Sequence, residues 1–521
     1  MRNMIIYWFI SICYLYVNIK YSTMILQQHH YHKDRYLHWL KSNWLQKRTL
    51  LITLLLCCMY LCFLLHGEYR KEVILLMMAL TAYFAYKIDH EIKYRLPLKL
   101  THRIKRLLCV RILLYVLFSW LFTHANDTIW IICTPWLYWL PFFEILISLV
   151  IVEPLERMIQ QYYVNDAKTK LSKRDDLTII GITGSYGKTS VKNILYTLLS
   201  DYYDTLMTPK SFNNKMGITL TIRNSLKRMH QVFICEMGAD HVGEILELMH
   251  FVKPQIGIVT AIGPQHLATF HSMEHIVREK MYMIEELPAN GLGFLNADNA
   301  YIRAHPLASA CKIIWFGKDM IADYRIMEIQ PHASGTSFSI QHEKEVYGFD
   351  IKLLGEHNVY NTCAAIAVAH EMGLPFTRLQ ELTKEIPYVK HRLEIVSTTP
   401  YTLIDDAYNA NPTGAHNALQ VLKAMKERAI IVTPGMIELG DREDIANEKF
   451  GKEMAHCVDE VILVGIKVTN RIQKGLMEEG FDENHLHICK DFAQAMKVLK
   501  EIVQEHDVVL LENDLPDAFS H

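Results

Sequence analysis

The chain has 521 residues, room for about three domains, and 50% of them are hydrophobic, a high share for a soluble protein. Its formal net charge of −2 excludes a generally basic nucleic-acid binder. The 11 cysteines show no zinc-ligand spacing, and Cys235, Cys311, Cys363, Cys457 and Cys489 are scattered, so neither a disulfide framework nor a metal ribbon is expected.

The hydrophobic excess is concentrated before residue 153. Apolar runs at 50–65, 73–86, 107–122 and 129–152 approach the length of a bilayer crossing, and 4–17 is a weaker one. Lys20, Lys33, Arg35, Lys41, Lys47 and Arg48 lie between residues 17 and 50, and Lys93, Arg95, Lys99, Arg103, Lys105 and Arg106 lie between 86 and 107. That bias assigns both loops, and everything after Pro154, to the cytoplasm. The expectation is a multi-pass protein of the bacterial cytoplasmic membrane with N-terminal transmembrane helices over 1–152. Trp120, Trp130, Trp136 and Trp139 fall near the expected interfaces. Arg111, inside the 107–122 run, is expected to reach back toward the basic loop. No small-residue cleavage site follows the first run, so it does not read as a cleavable signal.

A polar stretch at 153–176 reads as a linker. It leads into Thr178-Ile-Ile-Gly-Ile-Thr-Gly-Ser-Tyr-Gly-Lys-Thr-Ser190, an apolar strand that breaks into glycines and ends in Lys-Thr. Gly184 and Gly187 permit a tight turn whose amides, with those of Ser185 and Ser190, face phosphate oxygens; Lys188 supplies positive charge and the Thr189 hydroxyl can hold Mg²⁺. The pattern is tighter than the usual P-loop, because Ile182 stands where that motif has its first glycine. The helix beginning near Val191 directs its dipole at the same anion. ATP is the expected nucleotide.

Short aliphatic runs then alternate with helical patterns, the signature of a parallel sheet covered by helices. Strands are predicted at 178–182, 232–236, 256–261, 293–296 and 312–316, then at 401–405, 429–434, 460–464 and 507–511, with a helix over 412–426. The fold expected after the linker is α/β: a P-loop central ATPase domain over 177–390 and a Rossmann-like C-terminal domain over 391–521. Glu236 and His266 follow strands, where open α/β sheets hold ligands, and could ligate Mg²⁺ directly or through water.

The ordered motifs Thr-Gly-Ser-Tyr-Gly-Lys-Thr, Glu236-Met-Gly-Ala-Asp-His, Gln265-His-Leu, Arg278-Glu-Lys-Met, Asn296-Ala-Asp-Asn, Gly355-Glu-His-Asn-Val-Tyr-Asn361, His391-Arg-Leu-Glu, Asp405-Asp-Ala-Tyr-Asn-Ala-Asn-Pro412 and Gly435-Met-Ile-Glu-Leu-Gly440 resemble the Mur ligases. The stretch 405–412 is most similar to the branch that adds D-alanyl-D-alanine to a UDP-muramoyl tripeptide. The resemblance implies an ATP-dependent amide ligase of the cell envelope that activates a carboxylate as an acyl phosphate for attack by an amine. It also implies roles: Lys188 and Arg392 on the phosphoryl group, Thr189, Glu236, His266 and Lys280 on Mg²⁺, with Lys280 at the position of a carbamylated lysine. Asn358 and Asn361 match a pair near the adenine. Arg392 and Asp406 match residues that complete the ATP site on domain closure, with Tyr408, Asn409 and Asn411 on the same loop.

Two departures stand out. The family's UDP-binding first domain has no counterpart, which suggests a lipid-linked acceptor beside the UDP-linked one. A late Lys-Gly-Ser motif is replaced by Leu511-Glu-Asn-Asp-Leu-Pro-Asp517, an acidic end that could bind a cationic amine donor or cap a strand. A polyglutamate-type synthase, an amidase-coupled ligase and a non-catalytic ATP-binding sensor stay open as alternatives.

Overall fold

The computed structural model describes residues 16, 18–29, 31–42, 83, 87, 98–123 and 140–513, apart from 211, 266, 333–334, 389–392, 398, 408–411, 426, 437–442 and 466–468. The chain divides into two compact units, Met1–Tyr162 and Tyr163–His521.

In the first unit, Lys33–Ser42 (α1), His102–Thr123 (α2) and the early part of Leu140–Leu171 (α3) bury Tyr36, Leu107, Phe142, Ile145 and Leu149 together. Several charged side chains on these helices are paired. Arg106 grips Glu156 with two hydrogen bonds of 2.6 and 2.9 Å, and Lys33 Nζ lies 2.7 Å from Glu153. Arg111 is fully buried: its Nε donates to Glu144 Oε2 at 2.8 Å, and its other nitrogens donate to Thr23 Oγ1, Ser22 Oγ and the Pro141 carbonyl. It therefore does not reach back to the basic loop. A buried counter-charge and a full set of acceptors hold it in the interior, as a desolvated guanidinium requires.

The membrane expectation is overturned. Among the described residues no helix is long and apolar enough to cross a membrane. The 107–122 run belongs to α2, which carries Arg103, Lys105, Arg106 and Arg111, and α3 continues unbroken past residue 152 through Glu153, Glu156 and Arg157. Neither offers the roughly 20 predominantly apolar residues that a crossing needs. The expected transmembrane helices and the multi-pass placement in a bacterial membrane do not stand. The runs at 4–17, 50–65 and 73–86, residues 129–139 of the last run, and with them Trp130, Trp136 and Trp139, lie outside the described residues, except for positions 16 and 83. The stretch 153–176, expected as a linker, is helical to Leu171, and its Val164 and Ala167 pack into a core of the second unit.

In the second unit, Thr178–Thr183 (β1), Thr205–Met207 (β2), Val232–Glu236 (β3), Ile256–Val259 (β4), Leu292–Asn296 (β5), Lys312–Gly317 (β6) and Tyr324–His332 (β7) form a parallel sheet in the order β2-β3-β1-β4-β5-β6-β7. Gly335–His342 (β8) and Glu345–Ile351 (β9) extend it as an antiparallel meander that the sequence reading did not contain. Lys188–Leu199 (α4), Glu244–Val252 (α5), Met273–Glu285 (α6) and Glu356–Glu371 (α7) cover its two faces. Consecutive β1 residues supply opposite cores: Ile180 and Ile182 pack with Val191 and Ile194 of α4 and Ala364 of α7, and Ile179 packs with Leu248 of α5 and Met281 of α6. With both faces covered, the strands read as unbroken apolar runs rather than alternating ones.

The second sheet comprises Glu394–Ser397 (β10), Thr402–Asp406 (β11), Ala429–Thr433 (β12), Glu460–Val464 (β13), Leu486–Cys489 (β14) and Val508–Glu512 (β15), in the order β10-β11-β15-β12-β13-β14. All pairs are parallel except β10 with β11. The helix Pro412–Met425 (α8) supplies Ala415, Leu419 and Leu422 to one of its cores. Because β15 inserts between β11 and β12, Asp406 pairs in register with Glu512.

Candidate active site

β1 delivers the chain to a turn that only glycine can make. Gly184 has φ 149° and Gly187 has φ 83°. A Cβ on Gly184 would fall 2.2 Å from Thr260 Oγ1, and one on Gly187 would fall 2.5 Å from Asn361 Oδ1. Conformation and space both exclude a side chain there. Gly187 is the N-cap of α4 and no side chain caps that helix, so its first-turn amides and dipole form an anion site. Ser185 Oγ exchanges two 3.0 Å hydrogen bonds with the backbone of Gly263, which fastens the loop to the segment after β4. Lys188 Nζ folds back over the same loop, 2.5 Å from the Gly184 carbonyl and 3.1 Å from that of Ser185.

β3 lies beside β1 with Ile182 paired to Glu236, and this register brings the Glu236 carboxylate under the loop. Glu236 is 1% exposed. Thr189 Oγ1 stands 3.2 and 3.1 Å from its two oxygens, Asn213 Nδ2 3.2 Å from Oε1, and Lys192 Nζ 2.9 Å from Oε2. Lys192 and Asn213 escaped the sequence reading. Lys192 follows Lys188 by one helical turn, a spacing that reads as a solvated face until the strand order supplies a buried carboxylate.

The Arg278-Glu-Lys stretch of α6 splits into separate tasks. Glu279 accepts the Gly243 and Ile245 N–H groups at 2.7 and 2.6 Å and so caps the start of α5. Lys280 is 3% exposed, with Nζ 3.3 Å from the Ala239 carbonyl. Burial above all, and then the Lys188 charge, push its amine down from 10.5 to about 7. It is not among the residues lining the cleft.

That cleft has a volume of about 1020 Å³. Ser185, Gly187, Lys188, Thr189, Ser190, Glu236, Asn358 and Asn361 line it from the larger sheet's side, and Leu393, Asp406, His416, Gln420 and Glu512 line it from the smaller one's. Asn361 lies against Gly187 of the phosphate loop, and Asn358 Nδ2 donates to the Leu354 carbonyl at 2.8 Å. Asp406 Oδ1 accepts the Leu393 N–H at 3.1 Å, next to the domain junction. His266, Arg392, Tyr408, Asn409 and Asn411 lie outside the described residues. Glu512 is a lining residue that the sequence reading saw only as part of an acidic end.

A cleft with a phosphate loop and a buried carboxylate on one wall and a second α/β domain on the other is chemically suited to phosphoryl transfer. Comparison with known proteins specifies it. The Mur ligase middle domain matches residues 182–369, and the Mur ligase, glutamate ligase domain matches residues 391–512. The UDP-N-acetylmuramoyl-tripeptide–D-alanyl-D-alanine ligase of Bacillus subtilis is 28% identical over 338 residues, covering 64% of this chain and 72% of that protein. The enzyme of the same name from Escherichia coli is 28% identical over 329 residues, 61% of this chain and 73% of that protein. Among solved structures, MurF from Acinetobacter baumannii aligns with a TM-score of 0.61 at 25% identity, covering 68% of this chain and 77% of that one. MurF from Thermotoga maritima in complex with ADP shares the fold, with a TM-score of 0.60 at 22% identity over 68% of this chain and 80% of that one. The two family matches together span more than half of the chain, which belongs to the Mur ligase family of ATP-dependent ligases.

Proposed function

We propose that this ligase joins the amine of a D-alanyl-D-alanine-type dipeptide to the terminal carboxylate of a UDP-linked muramoyl tripeptide, in peptidoglycan precursor synthesis. The carrying observation is the Lys188–Thr189–Glu236 constellation at the cleft wall, facing Asp406 of the smaller domain. The relatives' names supply the substrates, and the similarity of the 405–412 stretch supports the same branch.

In this reading residues 177–390 bind ATP and residues 391–521 close over it. The amides from Ser185 to Ser190 cradle the phosphates, with Lys188 swinging from its own loop carbonyls to the transferring phosphoryl group. Arg392 adds a second positive charge there, Asn358 and Asn361 shape the wall beside the nucleotide, and Asp406 completes the site. Mg²⁺ fits the donor set: the Thr189 hydroxyl and the Glu236 carboxylate are hard oxygen ligands already within hydrogen-bond distance of each other, and Mg²⁺ favours one or two protein oxygens plus phosphate and water. His266 and a carbamylated Lys280 would complete its holders. Such an ion supplies charge neutralisation for phosphoryl transfer. Lys280 suits carbamylation because only an uncharged amine attacks carbon dioxide, and its burial favours that form.

The test is ADP release with ATP, UDP-muramoyl tripeptide and D-alanyl-D-alanine, with product mass read in parallel. One dipeptide added per acceptor is expected, and Lys188→Ala should lower the rate by on the order of 10²-fold or more. Repeated mass increments would mean a polyglutamate-type synthase, and unchanged turnover in K188A would overturn the site.

A further inference from the structure

α4 carries a second lysine that the phosphate loop does not use. Lys192 lies one turn beyond Lys188, so the two share a face of the helix. Lys188, Thr189 and Glu236 line the cleft, but Lys192 does not. It is 1% exposed, with Nζ 2.9 Å from Glu236 Oε2, and so touches a cleft residue without being one. The ammonium also donates to the carbonyl of Lys210, which stands at φ 48° in the segment between β2 and the helix Lys215–Ser225. The same segment fixes the Glu236 backbone, because Thr208 Oγ1 accepts its N–H at 3.1 Å.

This arrangement divides the Glu236 carboxylate unequally. Oε2 takes the charged donor Lys192 at 2.9 Å and the Thr189 hydroxyl at 3.1 Å. Oε1 takes two neutral donors, the Asn213 amide and the Thr189 hydroxyl, both at 3.2 Å. Stability alone does not call for the lysine, since a buried ion pair is often no more stabilising than apolar side chains of the same volume. What the lysine does is make two like oxygens unlike. A cation on Oε2 would approach an ammonium already 2.9 Å from that oxygen, and like charges repel most strongly where water is excluded.

We propose that Lys192 is a positioning residue that leaves Glu236 a single oxygen for the divalent cation and so selects Mg²⁺ over larger ions. This rests on the reading above that Thr189 and Glu236 hold Mg²⁺, and adds what chooses the ion. Mg²⁺ demands near-ideal octahedral geometry, whereas Ca²⁺ takes a carboxylate through one oxygen or both. With Oε2 engaged by the ammonium, the two-oxygen mode is closed and Ca²⁺ loses what favours it. Without Lys192 both oxygens are open to the ion, and the larger cation gains more. Loss of the positive charge strengthens the hold on every divalent cation alike, so the selectivity between two cations, and not the affinity for one, reports this role.

The experiment measures ADP binding to the full chain by calorimetry, with saturating Mg²⁺, with saturating Ca²⁺, and with a chelator in place of both. The gain in ADP affinity from each cation gives a selectivity ratio, Mg²⁺ over Ca²⁺. In Lys192→Met that ratio should fall by about tenfold, because only the larger ion profits from the second oxygen. A merely structural ion pair would move both gains together, and an unchanged ratio would overturn the proposal. A measurement on the unaltered protein guards against a misfolded variant: Mg²⁺ should raise ADP affinity more than Ca²⁺ does, and equal gains sink the proposal. If neither cation raises ADP affinity, the Mg²⁺ reading of Thr189 and Glu236 itself fails, and the role of Lys192 falls with it.

Discussion

Lys280 shows what a buried position does to a charge. Unfolded, its amine titrates in the ordinary lysine range near 10.5; folded, burial and Lys188 bring it to about 7. Between those values the unfolded chain binds more protons than the folded one, so stability rises with pH across that window, by up to about 4–5 kcal/mol. Wild-type protein should therefore gain unfolding free energy relative to Lys280→Met between pH 7 and pH 10 in chemical denaturation. Parallel curves would mean that the Lys280 amine does not titrate in this window, because it keeps its proton or is carbamylated. The phosphate loop was readable because its glycines, lysine and threonine are adjacent in sequence and each meets a local demand. Lys192, Asn213 and Glu512 were not, because each acquires its meaning from a residue that only strand order brings near: Glu236 for the first two and Asp406 for the third.

Elements divide in the same way. The central strands were legible because burial on both faces demands unbroken apolar residues, as in Val232–Glu236 and Glu460–Val464. The β7–β9 meander was not, since its half-exposed strands mix polar residues and its turns fall at Glu343 and near Gly335. The apolar helices were misread for a further reason: composition does not say whether a hydrophobic face meets lipid or another helix. Arg111 becomes decisive only once Glu144 is found beside it. The α7 helix carries the clearest packing constraint. Ala364, Ala365, Ala367 and Ala369 are all fully buried and let it lie close against the sheet and α4. Ala367→Leu should cost about 1–3 kcal/mol by overpacking, read as a lower denaturation midpoint at unchanged slope.

At the scale of the whole molecule, the hydrophobic clusters respect the division at Tyr163. One is confined to residues before it, and the others, which include Val164 and Ala167, lie after it. A chain beginning at Tyr163 should therefore fold and keep the phosphate loop intact. Its affinity for ADP, measured by calorimetry, should lie within about threefold of the full chain, and ADP at a hundred times its Kd should add about 2.7 kcal/mol to its stability. Failure of the truncated chain to fold would mean that the first unit supplies stability the clusters do not reveal.

By itself the sequence determined the nucleotide loop, the α/β alternation, most central strands and the family, because these rest on short-range patterns: periodicity, glycine turns and contiguous motifs. Only the tertiary structure decided where the charges go. It closed Arg111 onto Glu144, set Glu236 against Thr189 and Lys192, lowered Lys280 by burial, and brought Glu512 level with Asp406 on one wall of the cleft. The energy of a charge depends on its solvent exposure and its nearest counter-charge, and both are fixed by the packing of segments far apart in sequence.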